Sequence, residues 1–132
     1  MAEIAVDKWK AEGVYLSRAE QYLRSMNLAL KNKDWDSCVG NGIHVIISAQ
    51  DALTIHVKGR RYKGIDHREA VALFKTLLRS DEHEKAFQRL SGIISIKTDA
   101  EYGDRSLTEK EAQKTTKDAE RFLAYVKSMI KA

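Results

Sequence analysis

The stretch IHVIISAQDALTIHV, residues 43–57, decides the fold because it would be apolar on nearly every side of a helix. A helix of this kind is normally covered by neighbours on several faces. The chain contains no proline and only seven glycines, a composition that favours helix throughout. We therefore predict that residues 43–57 belong to the central helix of a helical domain.

The segment before this stretch also has a helical period. Apolar residues recur there every seven positions, with two more between them: Trp9, Leu16, Leu23, Leu30, Ala19 and Met26. The pattern predicts a first amphipathic helix of about 20 or more residues. It should end at KNKDW, residues 31–35, where lysines suit the negative end of the helix dipole. We expect Asp34 to cap the central helix, which would start near Trp35.

Three further helices are predicted after the central one, each from a start signal and an apolar period. The start signals are Asp66 with Glu69, Ser80 or Asp81, and Thr108 with Glu111. Gly103 is the expected exit of the fourth helix. Alternating runs long enough for a sheet are missing. The fold predicted from these patterns is all-α, an antiparallel bundle of four to five helices in one domain spanning residues 1–132.

Composition narrows the class of protein. Hydrophobic residues make up 43% and charged residues 32% of the chain, and the formal net charge is +4. This mild excess of positive charge permits the binding of a polyanion without requiring it. Cys38 is the only cysteine, so no disulfide can form within the chain. No apolar run has the length of a signal peptide or a membrane span, so we expect a cytoplasmic protein without membrane contact.

The segment KGRRYKGIDHREAV, residues 58–71, concentrates positive charge in one short break between helices. Its cations could contact phosphate, Tyr62 could stack on a base, and Gly59 and Gly64 would allow close backbone approach. The alternative is an ordinary polar loop between two buried helices. The candidate ligand-binding residues are Lys58, Arg60, Arg61, Lys63, His67 and Arg68.

The order of segments along the chain resembles a HEPN domain (higher eukaryotes and prokaryotes nucleotide-binding). A long first helix precedes four segments in the order and spacing typical of that family, over roughly residues 9–130. They are DWDSCVGNGIHVIISAQDALTIHVKG (34–59), IDHREAVALF (65–74), IKTDAEYGD (96–104) and EAQKTTKDAERFLAYVKSMI (111–130). The resemblance implies a small helical bundle, usually a homodimer. Such domains often act beside a small nucleotidyltransferase, and some branches are metal-independent ribonucleases of toxin–antitoxin systems.

The ribonuclease branches of that family use an arginine followed, after four to six residues, by a histidine at the junction of the later helices. The resemblance places Lys97 and Tyr102 at those two positions. Lysine lacks the planar fork of arginine, and tyrosine is a poor general base near neutral pH. Arg61 and His67 have the required spacing but lie in the earlier segment, where the resemblance implies that a histidine simply opens the third helix. We predict no catalytic residue, with Arg61 and His67 as the alternative pair.

Other candidate sites are weaker. His44, Ser48 and Asp51 have the residue types of a hydrolytic triad, but a serine in mid-helix has no free backbone N–H groups beside it to form an oxyanion hole. A polar seam or an interface edge is the preferred interpretation. The histidines show no ligand motif, so we predict no metal site and no cofactor.

The preferred function is therefore a HEPN-like module for binding and assembly. It would be a homodimer that docks a nucleotidyltransferase-type partner or a nucleotide, with RNA as another possible ligand. The first alternative is a metal-independent ribonuclease of the toxin–antitoxin type. The second is a purely structural dimer whose ligand has been lost. The apolar character of residues 43–57 also favours a dimer that buries apolar helix faces.

Overall fold

The computed structural model describes residues 2–5, 8–63 and 67–131, with side chains at residues 11–60, 69–97 and 103–131. Within these residues the chain forms five helices and two short strands. In chain order they are β1 (Ala2–Ala5), α1 (Lys8–Lys31), α2 (Trp35–Lys58), β2 (Arg60–Lys63), α3 (His67–Thr76), α4 (Asp81–Tyr102) and α5 (Glu109–Lys131). The predicted all-α class is confirmed, at the upper end of the predicted helix count.

Helix α2 is the centre of the bundle, as its all-round apolar sequence predicts. It packs against α1, α4 and α5. Val45, Ile46, Leu53 and Ile55 are completely buried. Because the chain's own helices cover most of residues 43–57, the apolar excess there no longer requires a second copy of the chain to bury it.

The heptad positions of α1 divide into two groups. Ala19 and Met26 are fully buried, whereas Leu16, Leu23 and Leu30 are partly buried at the edge of the same core. Trp9 belongs to α1, but its side chain is outside the described residues. The seven-residue period therefore identified the helix correctly, and the most deeply buried line of residues runs through Ala19 and Met26.

The turn between α1 and α2 differs from the prediction in one detail. Asp34 does stand at the start of α2, but its side chain makes no capping hydrogen bond. Lys33 adopts a left-handed conformation (φ 63°), and the N–H of Asp34 donates to the carbonyl of Ala29 across 2.9 Å. This is the closing bond of a Schellman turn, in which one residue takes the left-handed region to end a helix. The turn that ends α1 therefore fixes the backbone conformation of Asp34.

The later helix starts are close to the predictions. The hydroxyl of Ser80 accepts a hydrogen bond from the N–H of His83 at 3.0 Å, so Ser80 rather than Asp81 caps α4. At α5, Thr108 Oγ1 accepts from the N–H of Glu111, and a carboxylate oxygen of Glu111 accepts from the N–H of Thr108. This reciprocal pair is a capping box. Asp66, the predicted cap of α3, lies outside the described residues.

The basic segment departs from the predicted loop. Residues Arg60–Lys63 form strand β2, which pairs antiparallel with β1, so that Ala2 faces Lys63 and Ala5 faces Arg60. Strands are stabilised by a partner strand rather than by an alternating pattern of their own. The pairing of β2 with a segment more than fifty residues earlier leaves no local signal in the sequence.

Candidate functional site

The basic segment begins where α2 ends. Gly59 closes the helix in a left-handed conformation (φ 67°), and its N–H donates to the carbonyl of Ile55 at 2.7 Å. Only glycine adopts this conformation without strain from a Cβ atom. Lys58 and Arg60 stand on either side of it, and both are exposed. Gly59 thus joins the last turn of α2 directly to strand β2.

The other proposed ligand-binding residues have a described backbone but no described side chain. Arg61 and Lys63 belong to β2, whereas His67 and Arg68 are the first two residues of α3. In the alternative catalytic pair, Arg61 therefore lies within a strand and His67 begins a helix. The distance between their side chains lies outside the described residues, so this pair stays a hypothesis.

A histidine–carboxylate pair lies beside the basic segment, and no pattern in the sequence indicated it. Nδ1 of His56, in the last turn of α2, is hydrogen-bonded to Oε1 of Glu12 in α1. Glu12 is only 5% exposed, so this carboxylate is held inside the bundle by its partner. A carboxylate accepts hydrogen bonds, and Nδ1 of His56 is therefore the donor. The two residues are 44 positions apart, and only the antiparallel packing of α1 on α2 brings them together.

His83 has a structural role. It is 2% exposed and its ring stacks on Phe74, with ring centroids 4.4 Å apart. Its Nε2 lies 2.6 Å from the carbonyl oxygen of Phe74, so Nε2 carries the proton and donates. Its Nδ1 lies 2.6 Å from the hydroxyl of Tyr125, which donates to it in the neutral ring. Burial raises the pKa of Tyr125 and keeps this hydroxyl protonated.

The residues of the rejected triad lie along α2 in different environments. His44 is exposed and stacks on Tyr22 of α1, with a centroid distance of 4.7 Å. Ser48 is buried and Asp51 is half-buried. Because all three belong to one continuous helix, the backbone N–H groups beside Ser48 are used in helical hydrogen bonds. This arrangement supports the interpretation as a polar seam.

The pair that the resemblance places at the ribonuclease positions lies near the end of α4. Lys97 is half-buried there, and the side chain of Tyr102 is outside the described residues.

The buried thiol of Cys38, the only cysteine of the chain, is a poor nucleophile. Burial raises its pKa, and its Sγ lies 3.3 Å from the hydroxyl of Thr116.

In residues 2–5, 8–63 and 67–131, no group of three or more histidine, cysteine, aspartate or glutamate residues is arranged to hold a metal ion. No helix among those residues has both the length and the apolar character needed to cross a membrane.

Comparison with known proteins identifies the family of this chain. The family model of the HEPN domain matches residues 13–129, which is nearly the whole chain and includes all five helices in whole or in large part. A comparison with curated proteins finds no match. The family model agrees with the order of helices that first indicated the resemblance. The chain belongs to the HEPN domain family.

Proposed function

We propose that this protein is a non-catalytic HEPN module that binds a phosphate-bearing ligand, such as a nucleotide or RNA, or docks a nucleotidyltransferase-type partner. Membership of the family supports the broader statement of a nucleotide-binding or ribonuclease-type module. The proposal assigns the binding role to the basic segment and treats residues 1–132 as one domain.

The observation that carries the proposal is the paired backbone of Arg60–Lys63 within the basic segment. Three of the four residues of β2 are cationic, and the strand is paired to β1 and fixed to α2 through Gly59. A paired strand loses less backbone freedom on binding than an open loop does. Exposed Lys58 adds a fourth cation next to this array, and phosphate oxygens recognise such charges.

The contacts of His83 and His44 support a binding role over proton transfer. His83 uses both ring nitrogens inside the core, and moving a proton through it would break a bond to Phe74 or Tyr125. His44 is held against Tyr22 on the outer surface of the α1–α2 pair.

The proposal includes a homodimer in the cytoplasm, as the family habit implies. The exposed apolar side chains available to such an interface include Val14 and Leu28 of α1 and Val57 of α2. Sedimentation equilibrium at micromolar concentration is the direct measurement. A single monomeric species there would contradict this part of the proposal and leave the binding role untouched.

The test of the binding role replaces Arg60 and Arg61 together with glutamine. Affinity for a labelled single-stranded RNA or for a nucleoside triphosphate should fall, and the log–log salt dependence should flatten by roughly one unit per lost phosphate contact. The matched control replaces Lys117 and Arg121, two exposed cations of α5, with glutamine. An equal loss in both double variants would show that net charge alone attracts the ligand, and the proposed site would then be wrong.

The test of the non-catalytic role is His67→Ala. Proton transfer by a positioned histidine is typically worth about 10²- to 10⁴-fold in rate, so its loss from an active site would be obvious. We expect any weak RNA cleavage, measured in chelator, to be the same in wild type and variant. A hundredfold loss with an unchanged circular dichroism spectrum would instead establish the ribonuclease alternative with Arg61 and His67.

A further inference from the structure

An open groove separates α3 from α4. Its volume is about 490 Å³, and its walls include Val71 and Lys75 of α3 and Phe87, Ser91 and Ile94 of α4. Sites for small molecules are commonly clefts of roughly 300–1,000 Å³ with mainly apolar walls and a few polar groups. The groove has this size and this composition. Of its described lining residues, only Val71 belongs to the basic segment, and none of the cations of that segment lines it.

The apolar walls of the groove pack against the hydrophobic core. Val71, Phe87 and Ile94 are half-buried, and each packs against the buried core with part of its surface left open to the groove. Phe74 and Leu90, one turn away on each helix, are buried in that core. The core therefore fixes these walls in place, and an entering ligand would meet a preformed apolar surface.

The described walls of the groove include one charged side chain. Lys75 is the charged side chain among the described lining residues, and its ammonium lies 5.2 Å from the centre of the Phe87 ring. The ring attracts the cation but does not neutralise it. A negatively charged group on a ligand would do so, and the Ser91 hydroxyl is available as a further hydrogen-bonding group.

We propose that the α3–α4 groove binds a small organic anion with a flat apolar body. The body would lie along Phe87 and Ile94, with its acidic group on Lys75. The groove runs along α4 from Phe87 to Ser95, a length of about 12 Å at 1.5 Å per residue, which suits a molecule of two or three rings. This site uses none of the cations proposed to bind phosphate in the basic segment, so the inference does not depend on the proposed function.

The probe for the test is anilinonaphthalene sulfonate, which combines a flat apolar body with one negative charge. Its neutral analogue phenylnaphthylamine has the same body without the charge. Fluorescence titration of the wild-type protein should show binding of both, with the sulfonate tighter. Contacts between the probe and the Phe87 ring, measured by nuclear Overhauser effects, should place it in the groove.

Lys75→Met removes the charge and keeps an apolar stem of similar length. We expect affinity for the sulfonate to fall about tenfold and affinity for the neutral analogue to stay within about twofold, because only the anion uses the ammonium. Lys117→Met, at an exposed position on α5, is the matched control and should change neither affinity. If both lysine variants weaken the sulfonate equally, no specific anion contact exists in the groove and the inference is wrong.

Two further variants fill the groove itself. Ser91→Phe and Ala72→Phe each place a ring in the space that the ligand would occupy. Ala72 is exposed, so its replacement should leave the fold intact even if the bulkier residue at position 91 disturbs it. We expect each of these variants that keeps its helical circular dichroism signal to bind neither probe. Unchanged binding in folded Ala72→Phe, or no binding to wild type, would overturn the inference.

Discussion

The two sides of the bundle differ in how closely their helices approach. On the side of α1, α2 and α5, a Cβ atom added at Gly42 would lie 2.6 Å from Cγ2 of Thr115 and 3.2 Å from Sδ of Met26. On the side of α3 and α4, an open groove of about 490 Å³ lies between the two helices. Gly92 of α4 is exposed, and a Cβ atom added there would meet nothing within 4 Å. We infer that the closely packed side stabilises the fold, whereas the open side leaves surface for a ligand.

The largest expected effect comes from the residue that joins the two sides. His83 of α4 bonds the carbonyl of Phe74 at the end of α3 and the hydroxyl of Tyr125 in α5. His83→Ala would leave a cavity and remove two buried hydrogen bonds, and we expect a loss of about 3 kcal/mol in the free energy of unfolding. Urea denaturation followed by circular dichroism measures it.

Tyr125→Phe is the graded control for this prediction. It keeps the ring and removes only the hydroxyl, so it should cost about 1–2 kcal/mol, mainly because Nδ1 of His83 loses its donor. A His83→Ala variant as stable as wild type would show that the two sides are not held together through this residue.

A second prediction compares the two sides with the same small change. Gly42→Ala should lower the free energy of unfolding by about 1–2 kcal/mol, since the overlap with Thr115 outweighs the roughly 1 kcal/mol that alanine gains in a helix. Gly92→Ala should raise it by up to about 1 kcal/mol, because the added methyl group meets open space. Urea midpoints of the two variants give the comparison directly.

Thr115→Ser tests the cause of the first of these effects. It removes the Cγ2 atom that the new methyl group would overlap. In the Gly42→Ala background it should therefore restore part of the lost stability. If Gly42→Ala and Gly92→Ala were both stabilising, the packing difference between the two sides would have no energetic importance.

The smallest effect is expected at the start of α5. Glu111 is paired with Arg105 and accepts the N–H of Thr108, and these contacts lower its pKa from 4.5 to about 2. A pKa lowered by folding stabilises the folded state above the unfolded value, and the contribution is lost as the pH falls from 4.5 towards 2. Because solvent screens this partly exposed pair, we expect a contribution below about 1 kcal/mol.

The measurement compares wild type with Glu111→Gln in urea at about pH 6 and at about pH 2. At the higher pH, wild type should have a larger free energy of unfolding than Glu111→Gln. At the lower pH, this difference between the two proteins should vanish. Glu120→Gln, an exposed carboxylate on the same helix, is the control and should show no such change. A difference between Glu111→Gln and wild type that is the same at both pH values would exclude the ion pair as its origin.

Much of the fold was predictable because its signals are local. The apolar run at residues 43–57 predicted the central helix, and the capping box of Thr108 and Glu111 is a pattern within four residues. The order of such segments was also enough to indicate the HEPN family, which the family model confirms over residues 13–129. Each of these features depends on a residue's near neighbours or on a helical period.

The sequence by itself thus determined the helical class, the central position of α2, the starts of α4 and α5 and the family. Only the tertiary structure decided the pairing of β2 with β1, the bond between His56 and Glu12, the close approach at Gly42 and the groove beside Lys75. The physical reason is distance along the chain. These features join residues that are far apart in sequence, so they depend on how whole helices pack, which no local pattern encodes.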